Sequence, residues 1–499
     1  MDSVARLRGV APLAAVALLA GVAGVAGSYA AAGFTPSFAV APIESFVARV
    51  TPGFLVTFAI TVLGSLGQRL ALGGAVAITA TLFGALSLAG LVTGRNVAVR
   101  VGRPMAAFAG PLLAALAVWT ASALLTGALV ESLGAGLGVG AVLALAEATR
   151  LTAPREHETE RRTVLTGLAS AAGVGVLGYL LGRRVDATRA PSGVPVTGES
   201  ARLLEEARAK SLDVQGIEPL VSEKFYQVDI NSVDPTTAPE DWSLTVTGAV
   251  DEELTFDYED VTARESREEF VTLRCVGEQL NGNKMDNALW TVTDIMPFVE
   301  AAGLPDGPCC VMLRAEDGFY EEFPLEALRD GLLAYGMNGR PLPRGHGAPV
   351  RALIPGHWGE INVKWLDEIE ILEQEAEGYW EERNWHGTGP VKPVAKLHAV
   401  NRLDDGRTEV AGHAYAGLAG VSRVEVSTDG GETWTDAELS ERLPGTDVWR
   451  QWVHRYESPG REHEVVVRMY DDEGRMQGEE ATGPFPDGPA GWVSRTVGR

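Results

Sequence analysis

The first 184 residues contain a series of uncharged apolar runs, several of them near the 20 or so residues that a helix needs to cross a bilayer. Backbone polar groups inside a bilayer must be satisfied by the chain itself, so such runs are typical of membrane helices. We therefore predict an all-α transmembrane bundle of five to six spans. The predicted spans are residues 11–32, 52–66, 70–92, 104–130, 133–146 and 163–181.

The predicted spans are rich in alanine and glycine, which allows helices to approach one another closely. No histidine precedes His157, so this bundle lacks the residues that ligate bis-histidine haems. Anchoring is the only role that we predict for residues 1–184.

Charge divides the chain unevenly. Residues 1–184 carry 13 Lys/Arg and 7 Asp/Glu, a net charge of +6, whereas residues 185–499 carry 29 and 59, a net charge of −30. Such an acidic soluble part argues against a nucleic-acid partner. Only six of the 42 basic residues are lysines, a composition from which we hypothesise a halophilic protein. Comparing its unfolding at low and molar salt would test this.

Two adjacent arginines, Arg161 and Arg162, precede the last apolar run. They resemble a twin-arginine export signal placed inside the chain, ahead of an uncleaved anchor. The alternative is the ordinary positive charge that flanks spans on the cytoplasmic side. Under either interpretation we predict a multi-pass cell-membrane protein whose residues 185–499 lie on the extracytoplasmic side. Residues 185–217 are then a linker, Pro/Gly-rich at 190–198, with a short helix at 199–210.

Cys275 follows an apolar, β-branched stretch and precedes a run of glycines and amides, so it is predicted to stand where a strand meets a loop. The neighbouring Arg274 would favour a thiolate, which is a soft metal ligand. The alternative is a small buried apolar residue. The other two cysteines, Cys309 and Cys310, are adjacent and are predicted to be packing residues without a disulfide.

Residues 218–388 mix strand and helix patterns, which predicts an α+β domain. Alternation and apolar runs predict strands, and wider apolar spacing predicts helices. Predicted strands cover residues 242–250, 310–314, 332–343 (with a turn) and 350–355, and predicted helices cover 292–302 and 323–329.

Three segments carry a specific resemblance: LAYGMNGRPLP at 333–343, HGAPVR at 346–351 and PGHWGEINVKWL at 355–366. With the loop cysteine and the pair at 225–226, they resemble the sulfite oxidase family of molybdopterin oxidoreductases over residues 218–485. The resemblance implies a molybdopterin cofactor with Cys275 as the protein ligand of molybdenum. It implies pterin contacts from Phe225, Tyr226, His346, Arg351, Asn362, Val363 and Lys364.

Those residue types suit that ligand, because arginine and lysine provide charge-assisted donors to a phosphate. The alternatives are a structural salt bridge for Arg351 and a solvated surface position for Lys364. The chain departs from the family pattern at Trp385, where the family often has a tyrosine, and in residues 276–287, which lack an arginine pair. Arg274, Arg344 and Arg383 remain as candidate anion contacts, and Cys275, Arg274 and Arg383 as candidate catalytic residues.

Residues 389–485 show short alternating segments with a hairpin turn at 429–434, which predicts a β-sandwich, and residues 486–499 are predicted to be a tail. This region resembles the immunoglobulin-like dimerisation domain of the same family, which implies a homodimer. The alternative is a carbohydrate-binding or adhesive module.

We thus predict a membrane-anchored molybdopterin oxidoreductase acting on a small oxoanion such as sulfite, or on a sulfoxide. The sequence has no haem-attachment or iron–sulfur cysteine pattern, so we expect an external one-electron carrier, a cytochrome or blue-copper protein. The alternatives are a methionine-sulfoxide-type reductase of exported proteins and a catalytically inactive membrane-tethered binding scaffold.

Overall fold

The computed structural model describes residues 2–152, 156–188 and 195–498. Contacts between its residues divide the chain into two compact units. The helical unit comprises Met1–Thr51, Ser65–Ser192 and Asp229–Thr236, and the sheet unit comprises Pro52–Gly64, Gly193–Val228 and Thr237–Arg499. Part of the predicted linker, at residues 190–194, lies outside the described residues.

The N-terminal region forms the predicted helices except at residues 52–66, and it adds one at residues 41–50 that was not predicted. The helices are α1 (Asp2–Ala32), α2 (Ala41–Val50), α3 (Gly53–Phe58), α4 (Ser65–Val101), α5 (Ala109–Thr126), α6 (Leu133–Thr152) and α7 (Glu156–Thr188). Among the described residues, five of these helices are long and apolar enough to cross a membrane, or up to six spans if α2 and the segment Gly53–Leu63 count as one.

Glycines bring the helices of the helical unit into backbone contact. A Cβ built on Gly27 of α1 would lie 2.1 Å from the carbonyl oxygen of Gly134 in α6, so only glycine fits there. The buried Glu147 accepts hydrogen bonds from Arg95 and Arg150, each at 2.7 Å, so its charge is paired. The segment Asp229–Thr236 belongs to this unit, where the Ser232 N–H donates to the Glu44 carboxylate at 3.0 Å.

The predicted span at residues 52–66 differs from the observed structure. Pro52 and Gly64, whose φ is +54°, bound a short helical segment made of α3 and a π-helical stretch, Ala59–Leu63. Eleven residues are too few to cross a bilayer alone. This segment, Gly53–Leu63, packs within the sheet unit, and we call it the arm.

Residues 198–372 contain four further helices and ten strands. The helices are α8 (Gly198–Lys210), α9 (Tyr258–Thr262), α10 (Met296–Ala301) and α11 (Leu325–Leu328). The strands are β1 (Ser243–Gly248), β2 (Leu254–Asp257), β3 (Arg267–Arg274), β4 (Met285–Asp294), β5 (Cys310–Ala315), β6 (Tyr320–Pro324), β7 (Leu332–Met337), β8 (Arg340–Pro341), β9 (Arg351–Leu353) and β10 (Leu366–Leu372).

These strands make two sheets, which confirms a sheet-rich domain here. One has the order β2-β1-β10-β5-β6, in which β1 and β10 run parallel; the other has the order β3-β4-β7-β8, with β9 paired to β7. The prediction of a helix at 292–302 was wrong in its first half. β4 continues to Asp294 because it pairs with β3 on one side and β7 on the other, and α10 begins only at Met296.

The C-terminal region consists of antiparallel strands in two sheets. The strands are β11 (Val394–Ala395), β12 (Ala399–Arg402), β13 (Arg407–Tyr415), β14 (Arg423–Ser427), β15 (Thr435–Asp436), β16 (Glu438–Leu439), β17 (Arg450–Glu457), β18 (His463–Tyr470) and β19 (Val493–Val497). One sheet is β11-β13-β17-β16 with β12 on β13, and the other is β15-β14-β18-β19. Apolar residues of both sheets share one core, as in an immunoglobulin-like sandwich. The segment predicted to be a tail, residues 486–499, contains a strand instead. This strand, β19, forms because its backbone pairs with β18.

The prediction that Cys309 and Cys310 are unbonded packing residues was wrong. Their sulfurs form a disulfide between adjacent residues, with the Cα atoms 3.7 Å apart. Cys310 is buried at the start of β5, whereas Cys309 is exposed. Cys275 is thus the free cysteine of the chain.

Candidate functional site

Cys275 stands directly after β3, at the start of a loop that leads into β4. Its N–H donates to the carbonyl of Lys284 at 2.9 Å, and the Lys284 N–H donates to the Glu278 carboxylate at 2.9 Å. These two bonds close the loop and hold the cysteine in place. Burial raises the pKa of the thiol, opposed in part by the positive charge of Lys284. A cation such as a metal ion would supply the partner that a buried thiolate needs.

Arg274 does not have the surroundings of a substrate contact. Its side chain is buried, and its guanidinium donates to Glu278 at 3.0 Å, to the Lys392 carbonyl at 2.6 Å and to the Pro489 carbonyl at 3.1 Å. The guanidinium also lies 4.7 Å from the ring centre of Trp358. Successive residues of a strand point to opposite faces, so the Arg274 side chain points away from that of Cys275. All three guanidinium nitrogens donate to protein acceptors.

Glu278 joins two cations in the interior. Besides Arg274, it accepts a hydrogen bond from the Lys396 ammonium at 2.5 Å, and the side chains of Glu278 and Lys396 are almost completely buried. Burial lowers the pKa of Lys396 to about 8, although the Glu278 carboxylate opposes this shift. Arg274, Glu278 and Lys396 form a buried triad, which connects the cysteine loop to the segment between β11 and β12.

An aromatic cluster lies on the same sheet as Cys275. The rings of Phe225 and Tyr226 stack with centres 5.5 Å apart, and Phe225 contacts the edges of both Trp290 and His346 at the same distance. The backbone N–H of Tyr226 donates to Asp286 at 2.7 Å. Burial raises the pKa of Tyr226, and the nearby charges of Cys275 and Arg351 act on it in opposite directions. Tyr226 is therefore close to both the cysteine and Arg351.

The predicted basic residues come together at β9 and the loops around it. Arg351 is buried and donates to the carbonyls of His346 at 3.1 Å and of Asn362 at 2.7 Å. The Lys364 ammonium donates to the Gly345 carbonyl at 3.1 Å. The Asn362 side chain bridges the Ile354 N–H and the Trp358 carbonyl, and the Val363 carbonyl accepts from the Ala352 N–H.

This cluster has the composition of a binding site for an anionic, ring-bearing group. Burial, followed by the charges of Arg351 and Lys364, lowers the pKa of His346 to about 4, which marks an electropositive environment. A Cβ on Gly347, whose φ is +105°, would lie 3.0 Å from both Arg351 and Lys364 side-chain carbons. Two fixed cations, a neutral imidazole and stacked aromatic rings suit a phosphorylated ring system, and the Cys275 thiol adds a soft ligand at its side.

Arg383 ends the short 3-10 helix Glu381–Arg383, and Trp385 follows two residues later. The Arg383 guanidinium donates to the Tyr379 carbonyl at 2.6 Å and lies 3.7 Å from the ring centre of Tyr379. Among the described residues, its buried Nε has no hydrogen-bond partner, so this side chain retains a donor for a ligand. Arg344 lies in another 3-10 turn, Arg344–His346, where its carbonyl accepts from Trp365.

Sequence reasoning missed a group of buried glutamates, Glu321, Glu360 and Glu381. Among the described residues, the carboxylate oxygens of Glu360 and Glu381 are buried, with the Gly387 backbone beside Glu360 and the Glu381 carboxyl beside that of Glu321. Burial and the neighbouring carboxylate of Glu381 raise the pKa of Glu360, and the Glu360 charge in turn raises the pKa of Cys275. The acidic residues of 377–382 could have indicated this group only if their burial had been known.

Comparisons with known proteins cover the same region. Residues 231–380 match the family model "Oxidoreductase molybdopterin binding domain", and residues 391–482 match "Mo-co oxidoreductase dimerisation domain". Mitochondrial sulfite oxidase of Mus musculus is 28% identical over 296 residues, covering 49% of this chain and 54% of that protein. Sulfite oxidase of Arabidopsis thaliana is 25% identical over 365 residues, covering 57% and 92% respectively.

A bacterial relative is more similar over a shorter stretch. The uncharacterized oxidoreductase YuiH of Bacillus subtilis is 32% identical over 150 residues, which cover 30% of this chain and 74% of that protein. The chain spans about half the length of the mammalian relatives that it matches.

Proposed function

This chain belongs to the sulfite oxidase family of molybdopterin-dependent oxidoreductases, and we propose that it is a membrane-anchored enzyme that transfers oxygen atoms to or from a small oxoanion such as sulfite, or a sulfoxide. The observation that carries the proposal is the position of Cys275 beside the cluster of Phe225, Tyr226, His346 and Arg351. A Cβ built on Gly359 would lie 2.6 Å from the Tyr226 hydroxyl and 3.1 Å from the carbonyl oxygen of Arg274, the residue before the cysteine. A soft ligand beside a phosphate-binding cluster suits a metal held by a pterin.

Each residue of the cluster has a defined task in this proposal. Cys275 binds molybdenum through its thiolate, and the loop bonds to Lys284 and Glu278 hold it in position. The pterin and its phosphate are bound by Phe225, Tyr226, His346, Arg351, Asn362, Val363 and Lys364. When bound, such a cofactor supplies two-electron redox chemistry coupled to oxygen transfer.

The reaction balances in either direction. Oxidation of sulfite takes one oxygen atom from water and yields sulfate, two protons and two electrons. Reduction of a sulfoxide consumes two electrons and two protons and yields a sulfide and water. An external one-electron carrier, a cytochrome or blue-copper protein, exchanges the electrons in two steps. Arg383, with its unpartnered Nε, is the proposed contact to substrate oxygen, whereas we assign Arg274 to holding the cysteine loop.

A sulfoxide reductase of exported proteins is the second candidate. It is favoured by Trp385 at the position where the family often has a tyrosine, and by the absence of an arginine pair from residues 276–287. Both functions use the same cofactor site and differ in the substrate that enters it.

Membrane position and assembly complete the proposal. Five apolar helices support a multi-pass anchor, and the Arg161–Arg162 pair supports an extracytoplasmic catalytic part. The match of residues 391–482 to a dimerisation domain supports a homodimer.

The test is metal and pterin analysis of the purified full-length protein, together with turnover of sulfite and of dimethyl sulfoxide. We expect about one molybdenum per chain. Turnover should fall by more than about 100-fold in Cys275→Ser, because substituting even a residue that only orients a metal's ligands lowers affinity or activity by about 10–100-fold. The matched control is the double variant Cys309→Ser with Cys310→Ser, which should keep its molybdenum. Turnover by Cys275→Ser at the parent rate would refute the ligand assignment.

A further inference from the structure

We propose that the arm, Gly53–Leu63, is a wall of the candidate active site, and that Ile60 determines which substrates reach Cys275. This inference rests on the proposed function. It assigns a specificity role to a segment that looked from its composition like part of a membrane anchor.

Ile60 bounds the space beside the cysteine thiol. A Cβ built on Gly277 would lie 3.1 Å from Cγ2 of Ile60 and 3.9 Å from both the Cys275 sulfur and the Trp385 ring. The three side chains therefore converge on one small volume. Ile60 also packs against the buried core that contains Val276 and Trp385.

A second contact fixes the aromatic side of this volume. The Trp385 indole N–H donates to the Thr57 hydroxyl at 3.2 Å, and the Trp385 side chain is buried. A buried indole N–H needs an acceptor, so Thr57 determines the orientation of the ring. The Gln279 side-chain amide also donates to the Thr61 carbonyl at 3.4 Å, which ties the arm to the cysteine loop.

The start of the arm approaches the proposed substrate contact. A Cβ on Gly53 would lie 3.1 Å from the Arg383 Cα and 3.3 Å from its Cβ. The arm thus contacts Cys275's loop, Trp385 and Arg383, the three features that face the reacting position in the proposed function.

The chemistry of this wall points to a class of substrate. An isoleucine side chain and the face of an indole provide no donor for an oxoanion, but they pack well against an apolar group. We therefore assign to the site a neutral organic S- or N-oxide with an apolar substituent, in preference to a free dianion.

The first test compares substrates of different size. Ile60→Ala should raise kcat/KM for methyl phenyl sulfoxide relative to dimethyl sulfoxide by at least about tenfold, because a few methylene groups in a pocket change discrimination 10–200-fold. Val62→Ala is the matched control, since Val62 is on the same arm with its side chain 65% exposed, and its ratio should equal that of the parent. An unchanged ratio in Ile60→Ala would overturn the role of Ile60.

The hydrogen bond is tested by two substitutions at one position. Thr57→Val keeps the branched shape but removes the acceptor of the Trp385 N–H, so kcat/KM should fall for both substrates. Thr57→Ser keeps the hydroxyl acceptor, so its kcat/KM should equal that of the parent for both substrates. If both variants behave alike, Thr57 does not position Trp385.

The contact itself is tested without activity. Gly53→Cys with Arg383→Cys places two Cβ atoms close to the usual disulfide separation of about 3.5–4.5 Å, so peptide mapping of the unreduced full-length protein should find this crosslink. Val62→Cys with Arg383→Cys is the control and should give none, because Val62 is nine residues further along the arm. Absence of the first crosslink would overturn the placement of the arm.

If the purified protein has no turnover, the role of Ile60 as a wall is tested by chemical modification of Cys275. The rate of Cys275 alkylation by iodoacetamide would then be compared between the parent and Ile60→Ala; we expect faster alkylation in the variant, and equal rates would refute the wall. If this result and the crosslink both hold in an inactive protein free of molybdenum, the proposed function fails and the wall stands.

Discussion

The indole N–H of Trp385 donates to the hydroxyl of Thr57 across 3.2 Å, although the two residues are 328 positions apart in the sequence. Thr57 belongs to the arm, and Trp385 stands where the resemblance to the family implies a tyrosine. The departure from the family pattern and the fold of an N-terminal segment are therefore parts of one arrangement beside Cys275.

The first prediction concerns cofactor retention. Arg351→Ala removes a buried cation from the proposed phosphate site, and bound pterin per folded protein should fall. A ligand at 100 times its dissociation constant stabilises a protein by about 2.7 kcal/mol, so Tm should fall with the pterin content. Arg340→Ala, at an exposed position of β8, is the control and should keep both values. Full pterin content in Arg351→Ala would contradict the assignment.

The second prediction concerns the buried triad. Glu278→Gln leaves the buried charges of Arg274 and Lys396 without their carboxylate, which typically costs about 3–5 kcal/mol. Urea unfolding of the detergent-solubilised protein measures the change. Glu205→Gln, which breaks only an exposed pair with Arg208, should change the free energy of unfolding by less than about 1 kcal/mol. Equal effects of the two substitutions would show that the triad does not stabilise the loop.

The third prediction is a pH dependence. His413 is buried, its Nε2 donates to the Glu218 carbonyl at 2.8 Å, and burial followed by the charge of His398 lowers its pKa to about 3. Its ordinary pKa is about 6.5. Between these two values the unfolded chain binds a proton that the folded chain does not, so stability must fall as pH decreases from about 6.5 towards 3.

One such group contributes a slope of at most about 1.4 kcal/mol per pH unit. The free energy of unfolding should be measured at several pH values for the parent and for His413→Gln. As pH decreases from about 6.5 towards 3, it should fall more steeply for the parent than for the variant. A parallel pH profile for His413→Gln and the parent would argue against the neutral buried imidazole.

The fourth prediction concerns export. Arg161→Lys with Arg162→Lys keeps both positive charges, so a purely topological effect should survive it. If the pair is a twin-arginine signal, the double variant should leave residues 185–499 on the cytoplasmic side. Protease added outside intact cells measures this. Cleavage as rapid as in the parent would show that the arginines are only topological charge.

Local features of this protein were predictable because they depend on short-range patterns. The apolar runs predict helices α1 and α4–α7, and the alternating pattern predicts strands such as β13 and β14. The change from an apolar, β-branched stretch to glycines placed Cys275 where a strand ends. The position of an arginine within an apolar strand indicated that Arg351 needs a partner inside the fold.

Other features depended on contacts between distant segments. Arg274 is adjacent to Cys275 in the sequence, yet its partners are Glu278 and carbonyls of residues 392 and 489. The acidic residues near 381 are far in sequence from Glu321, but tertiary packing buries the carboxylate oxygens of Glu381 beside Glu321 and Glu360. A charge pattern cannot reveal burial, and burial is what raises the pKa values of Glu321 and Glu360.

The sequence by itself thus determined the membrane-type helices, the strand that ends at Cys275 and the set of residues available for a pterin. Tertiary structure decided that the arm packs within the sheet unit, that Cys309 and Cys310 are bonded, and that Glu278 pairs with Lys396. The physical reason is that periodicity specifies which face of an element is apolar, whereas the partner of that face, and the electrostatic environment of each charge, come from residues far away in the chain.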